Sequence, residues 1–322
     1  MFTFNFRLSI LLGWAAGFVL AGFLLTADVS AQSVHVPDAA DSLFRPEPVK
    51  LAEVGVPIHP DLAPSPDGRH IAVLQTRPDP VLWIVPTDGG VPFAFRKMWA
   101  AYNPRWAPSG DRIGFIAGIG PPRIWTVEVD PASGRPLAPP RLLYRAAANV
   151  YAFAPDGERI AFVSRRSTAA GASEIYVIDW KTRHARFLLR ESGMIYRLDW
   201  APDGGHLVYG VAPAASDSAH RVVRATIGGR RETLLRVREF LGLSPDGMAL
   251  LYRADDLEAI RRNALEIATA RGAPLGRIIV PRGATPAWSA NSTALLQVQP
   301  QENGAADRIV AIPSPVTWRF FW

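Results

Sequence analysis

The chain contains no cysteine. That excludes disulfides, thiolate metal sites, a cysteine nucleophile and lipid attachment through a cysteine. Serine-hydrolase chemistry is equally without a foothold: no G-x-S-x-G elbow occurs, and the nearest approach, GLSPDG, puts Ser244 in a turn-forming stretch. There is no H-E-x-x-H, no phosphate-cradling loop, no dinucleotide fingerprint and no pair of catalytic carboxylates. The histidines (His35, His59, His70, His184, His206, His220) stand apart from one another, as surface or strand residues do. A metal site assembled from distant stretches stays open, but the sequence assigns no catalytic residue, metal ligand or cofactor. Formal net charge is +6, carried by scattered arginines with doublets only at 165–166, 230–231 and 261–262. No basic stripe interleaved with aromatics is present, so a nucleic-acid partner is not expected.

One long hydrophobic run exists, at the N-terminus. Residues 8–27 are uncharged and apolar, follow a single positive charge at Arg7, and lead into DVSAQS with Val29 and Ala31 ahead of Gln32. Residues 1–31 read as an export signal cut after Ala31, or as an uncleaved membrane anchor through 8–27. Either places the folded part outside the cytoplasm, periplasmic or extracellular. Without disulfides, that part must rest on its hydrophobic core.

Proline and glycine are plentiful, 29 and 26 residues spread over the chain, which favours many short strands over long helices. In YAFAPDGERIAFVS (151–164), alternating apolar residues flank a Pro-Asp-Gly turn. The proline presets φ, the aspartate bonds its nearby backbone, and the glycine takes the left-handed conformation. This hairpin recurs. Its turn prolines are Pro66, Pro108, Pro155, Pro202 and Pro245, with Ala290 in a worn sixth copy, 42 to 47 residues apart. A glycine follows each proline by two places, except that Ser292 stands in the sixth copy, where a looser turn is expected. The acidic turn residues Asp67, Asp156, Asp203 and Asp246 are expected to serve the turn rather than calcium. Two before the proline stand Pro64, Trp106, Phe153, Trp200, Leu243 and Trp288, expected to fill core. A second hairpin follows in each period, so each repeat of ~45 residues holds four strands, the pattern of a β-propeller. Residues 57–322 accommodate six blades, residues 32–56 read as a Pro-rich linker, and DDLEAIRRN (255–263) reads as a helical insertion. The terminal VTWRFFW is apolar enough to be the outer strand of blade six.

These repeats resemble the TolB-like, WD-repeat-like (PD-repeat) propellers of bacterial envelope proteins; FAPDGERIAFVS…EIYVID is nearly a consensus blade. The resemblance covers about residues 57–322 and implies an all-β, six-bladed propeller of four-stranded antiparallel blades. TolB proteins carry an α/β domain before the propeller, which 32–56 are too short to supply, so the resemblance does not extend to a place in the Tol–Pal machinery. Propellers host many functions. The expected function is a non-catalytic scaffold in the cell envelope, binding a protein, peptide or glycan. The alternatives are an enzyme with a polar site in the central channel, lactonase- or lyase-like, and an accessory propeller of a two-part hydrolase.

In this family the first strand of each blade lies nearest the axis. Counting five to seven residues back from each turn proline gives a ring rich in polar groups, from which Asp61, Tyr102, Asn103, Tyr196, Arg197 and Glu239 are the candidate partner-binding residues at the channel mouth.

Overall fold

A computed structural model of the chain describes residues 43–44, 49–54, 58–75, 81–95, 101–118, 120–164, 171–213, 219–281, 284–299 and 307–314. All lie in one compact unit, Pro37–Trp322. The expected leader at 1–31 and the segment 316–322 fall outside the described residues. Among the described residues, no helix is long and apolar enough to cross a membrane.

Six sheets succeed one another along the chain, the blades of a propeller. From the inside outward, blade one is Ile58–Pro64, His70–Gln75, Val81–Pro86 and Phe93–Phe95. Blade two is Tyr102–Trp106, Arg112–Ala117, Arg123–Glu128 and Arg141–Leu142. Blade three is Ala148–Phe153, Arg159–Ser164, Ala172–Asp179 and Ala185–Ser192. Blade four is Met194–Trp200, His206–Ala212, His220–Thr226 and Arg231–Val237. Blade five is Glu239–Leu243, Ala249–Arg253, Ala264–Thr269 and Pro274–Ile279, with Leu43–Phe44 added in parallel at its outer edge. The innermost strand of each blade touches the next, and that of blade six returns to blade one, closing the ring.

Blade six departs from expectation. Its inner three strands are Ala287–Trp288, Ala294–Gln299 and Asp307–Pro313, but its outer strand is Val49–Val54, antiparallel to Asp307–Pro313. The outer position expected for VTWRFFW is thus occupied by part of the segment read as linker. Ala52 and Val54 are buried there, against Ile309, Leu296 and the core of blade one. The two ends of the propeller are held by backbone hydrogen bonds within one sheet, which covers the free edge of Asp307–Pro313 and ties the ring shut.

The repeated turns hold as their chemistry dictates. Gly68, Gly110, Gly157, Gly204 and Gly247 all have φ between +66 and +73°. The aspartates Asp67, Asp156, Asp203 and Asp246 each accept a hydrogen bond from a backbone N–H two residues on. The sixth turn is not looser. Ser292 takes φ +61° and is buried, Ser289 N–H reaches Ala294 O at 2.8 Å, and Asn291 does the work of the aspartate by accepting from Thr293 N–H. The short helix expected at 255–263 is Leu257–Arg262, capped by the Asp256 carboxylate and ended by Asn263 at φ +52°.

Apolar layers lie between neighbouring blades. One runs from Val163, Ile175 and Val177 of blade three to Leu207, Tyr209 and Val223 of blade four. Strands buried on both faces explain why the second strand of most blades reads as a continuous apolar run, such as HIAVLQ and RIAFVS.

Candidate functional site

The innermost strands line a central channel of about 570 Å3. Those of blades one to five carry a register irregularity near the channel mouth: between Ile58 and Leu62, Tyr102 and Arg105, Ala148 and Val150, Ile195 and Arg197, and Phe240 and Gly242. A bulge breaks the period of two and re-aims the side chains on either side of it. Asn103, in the bulge of blade two, sits at φ +54°, and its carbonyl accepts from Tyr151 Oη at 3.2 Å.

Of the candidates read from sequence, Asp61, Asn103, Tyr196, Arg197 and Glu239 line the channel. Tyr102 does not. It is half-buried against the apolar layers on both sides of blade two, because the bulge that follows it turns Asn103 and Arg105 to the lumen in its place. Tyr196 is a strut as much as a lining residue. Its ring fills the space left by Gly210, where a Cβ would come within 2.7 Å, and its Oη accepts from Phe240 N–H of blade five at 2.7 Å. Burial pushes its phenol up to about 12. Glu239 pairs with Arg253 at 3.0 Å, and Asp61 with His59 at 3.3 Å.

Counting back from the turns missed the residues that dominate the channel's electrostatics. Three places before the turn proline the six blades carry Ala63, Arg105, Ala152, Asp199, Gly242 and Ala287. Arg105 Nη1 of blade two reaches Asp199 Oδ1 of blade four at 2.7 Å, passing blade three where the equivalent residue is only alanine. Arg197 Nε holds the other oxygen at 3.1 Å, and Leu243 N–H donates to it as well. Gly242 makes room for this cluster, since a Cβ there would stand 2.8 Å from Arg197 Nη2. Burial alone would raise the Asp199 carboxyl, but Arg197 and Arg105 overcome it and hold the group below the usual carboxylate range. Asp61 behaves likewise: burial opposes its charge, and His59, Arg197 and Arg105 lower its pKa in net. The signal for Arg105 and Asp199 lies in the pairs Arg105-Trp106 and Asp199-Trp200, a charge beside an aromatic in an inner strand.

Next along the strands come Pro64, Trp106, Phe153, Trp200, Leu243 and Trp288, all lining the channel, with tryptophan in alternate blades. They do more than fill core. Trp106 donates its indole N–H to Ala63 O of the preceding blade at 3.0 Å. The indole N–H groups of Trp200 and Trp288 are buried with no protein partner among the described residues, as is Arg105 Nη2. The turn prolines Pro66, Pro108, Pro155, Pro202 and Pro245 line the channel beyond them, so all five repeats present the same face. Among the described residues, no three His, Asp or Glu side chains come together in a way that could hold a metal ion.

No protein-family model matches the chain, and no curated protein matches its sequence. Solved structures do match its fold. TolB from Acinetobacter baumannii superposes with a TM-score of 0.55 at 21% identity, over 69% of this chain and 53% of that one; the chain therefore spans about half the length of that relative. An oligogalacturonate lyase in complex with manganese gives 0.52 at 11% identity, over 86% of this chain and 98% of that one. An oligogalacturonate lyase from Vibrio parahaemolyticus gives 0.50 at 8% identity, over 84% and 93%. The fold is thus the six-bladed, TolB-like propeller that the repeats implied.

Proposed function

We propose that this chain is an exported, non-catalytic scaffold of the cell envelope that captures a protein, peptide or glycan in its propeller channel. The observation that carries the reading is the convergence of polar side chains and indole rings on one channel: Asp61, Asn103, Arg105, Arg197 and Glu239 beside Trp106, Trp200 and Trp288. The surrounding carboxylates are already engaged, Asp199 by two arginines and Glu239 by Arg253. Polar groups set among aromatic side chains suit an extended peptide or a saccharide. D61N and E239Q remove two partly exposed charges of the channel lining while keeping side-chain shape. With the full chain as bait in envelope extract, the double variant should recover less of the wild-type partner at nearly unchanged melting temperature. Equal recovery would overturn the assignment to the channel.

A second reading is a lyase-like enzyme acting in the same channel. It is favoured by the near-complete coverage of the manganese-bound lyase. It lacks a group of three His, Asp or Glu side chains among the described residues to hold such an ion. Incubation with oligogalacturonate and manganese tests it: cleavage that depends on Arg197 would replace the scaffold reading.

A further inference from the structure

A second cleft, of about 540 Å3, opens between the outer strands of blades three and four, lined in part by Arg190, Glu191, Arg221, Arg231, Glu232 and Thr233. Its floor is a buried carboxylate. Glu191 is only 4% exposed, and its two oxygens accept from Arg221 Nη2 at 3.0 Å, Tyr209 Oη at 3.0 Å and Arg231 Nη1 at 3.3 Å. Arg231 Nη1 also donates to the carbonyl of Arg190 at 2.8 Å. One carboxylate therefore fixes two guanidinium groups, each by a single nitrogen. The Nε and Nη1 donors of Arg221 and the Nε and Nη2 donors of Arg231 have no protein partner among the described residues.

The local charge does not balance. Three arginines face Glu191, which is fully engaged, and Glu232, whose cation is Arg224 outside the cleft at 3.9 Å; Arg190 stands opposite Glu174 in the ladder but forms no ion pair with it among the described residues. Strand register adds to the excess, because Arg221 stands directly opposite Arg236. Like charges facing each other across a ladder are unfavourable unless an anion lies between or beside them. Planar guanidinium groups with spare donors match the oxygens of carboxylate and phosphate.

We propose that this inter-blade cleft is an oxyanion-binding site that takes the carboxylate or phosphate group of an acidic ligand, with Arg190, Arg221 and Arg231 as its donors and Glu191 as the residue that positions two of them. The site is separate from the channel and does not rest on the function proposed for it. Calorimetric titration of the full-length protein at low ionic strength, with sodium phosphate and separately with sodium glucuronate, tests it. Arg190 is exposed and its guanidinium forms no hydrogen bond or ion pair among the described residues, so R190Q should fold as the wild type does. Saturable binding of at least one probe is expected, weakened about tenfold by R190Q and largely retained by R190K. Preference for phosphate would identify a phosphorylated ligand, and preference for glucuronate a carboxylated one. Absence of saturable binding of either probe would overturn the proposal, as would equal affinity in R190Q and wild type.

Discussion

Removing the Asp199 carboxylate should unsettle the propeller from its centre. The group is buried, accepts from Arg105 at 2.7 Å and Arg197 at 3.1 Å, and receives the backbone N–H of Leu243. D199A would leave two guanidinium groups and an amide without their acceptor. Breaking a buried pair from one side costs about 3–5 kcal/mol. The arginine side chains are 20% and 33% exposed, so water can reach part of what is lost. A cost near the low end, about 3 kcal/mol, corresponds to a melting temperature lower by roughly 6–12 °C. R105M should cost less, about 1–2 kcal/mol, because Asp199 keeps Arg197 and Leu243 N–H. The R105M/D199A double variant should then be less damaged than the sum of the singles. Acidity gives an independent check. The folded-state pKa of Asp199 is depressed, so its contribution is complete above the unfolded value near ~4 and disappears as pH falls through the folded one. The gap between wild type and D199N should therefore narrow only in acid. Scanning calorimetry at pH 7 and across the acid range decides the matter: a D199A protein melting within about 2 °C of wild type, or a D199N gap that ignores pH, would refute the account of the cluster.

Three further outcomes follow from the packing. G242A places a methyl 2.8 Å from Arg197 Nη2 at a backbone φ of +155°, so it should both displace that side chain and strain the strand, lowering stability by about 1–3 kcal/mol and weakening capture in the channel, as calorimetry and the envelope pull-down would show. Val54, 1% exposed, lies in the outer strand of blade six; V54D should cost at least about 3 kcal/mol in chemical denaturation, whereas V49D in the same strand, at a residue 57% exposed, should be nearly neutral. N-terminal sequencing of the protein from cell fractions should give Gln32 if the leader is cleaved or Met1 in the membrane fraction if it is an anchor, and full-length chain recovered from cytosol would refute export.

The blades were legible because each repeats a local chemistry. Proline, aspartate and glycine fix a turn within five residues, and apolar residues on either side fix its strands. Closure was not legible, because VKLAEV is short, interspersed with charge, and finds its partner DRIVAIP at the other end of the propeller. The candidate site was half legible for a related reason. Counting along an inner strand assumes strict alternation, and the bulges break it, so Tyr102 turns into the blade interface and Arg105 out to the lumen. The Arg105–Asp199 pair joins residues 94 positions apart across an intervening blade, a relation that no window of sequence contains.

The outer strand of blade six also sets an order on the assembly of the molecule. Val49 pairs with Ala311, so a strand made early waits for one made much later. Each blade before it can form from contiguous chain, at the low entropic cost of short loops, but the ring has no closed state until residue 313 is available. During synthesis a growing chain therefore carries unsatisfied strand edges, which invite pairing with a neighbouring chain until the tethered partner strand is made. Synthesis of the chain through residue 313, rather than the stability of any one blade, is then the step that lets the ring shut.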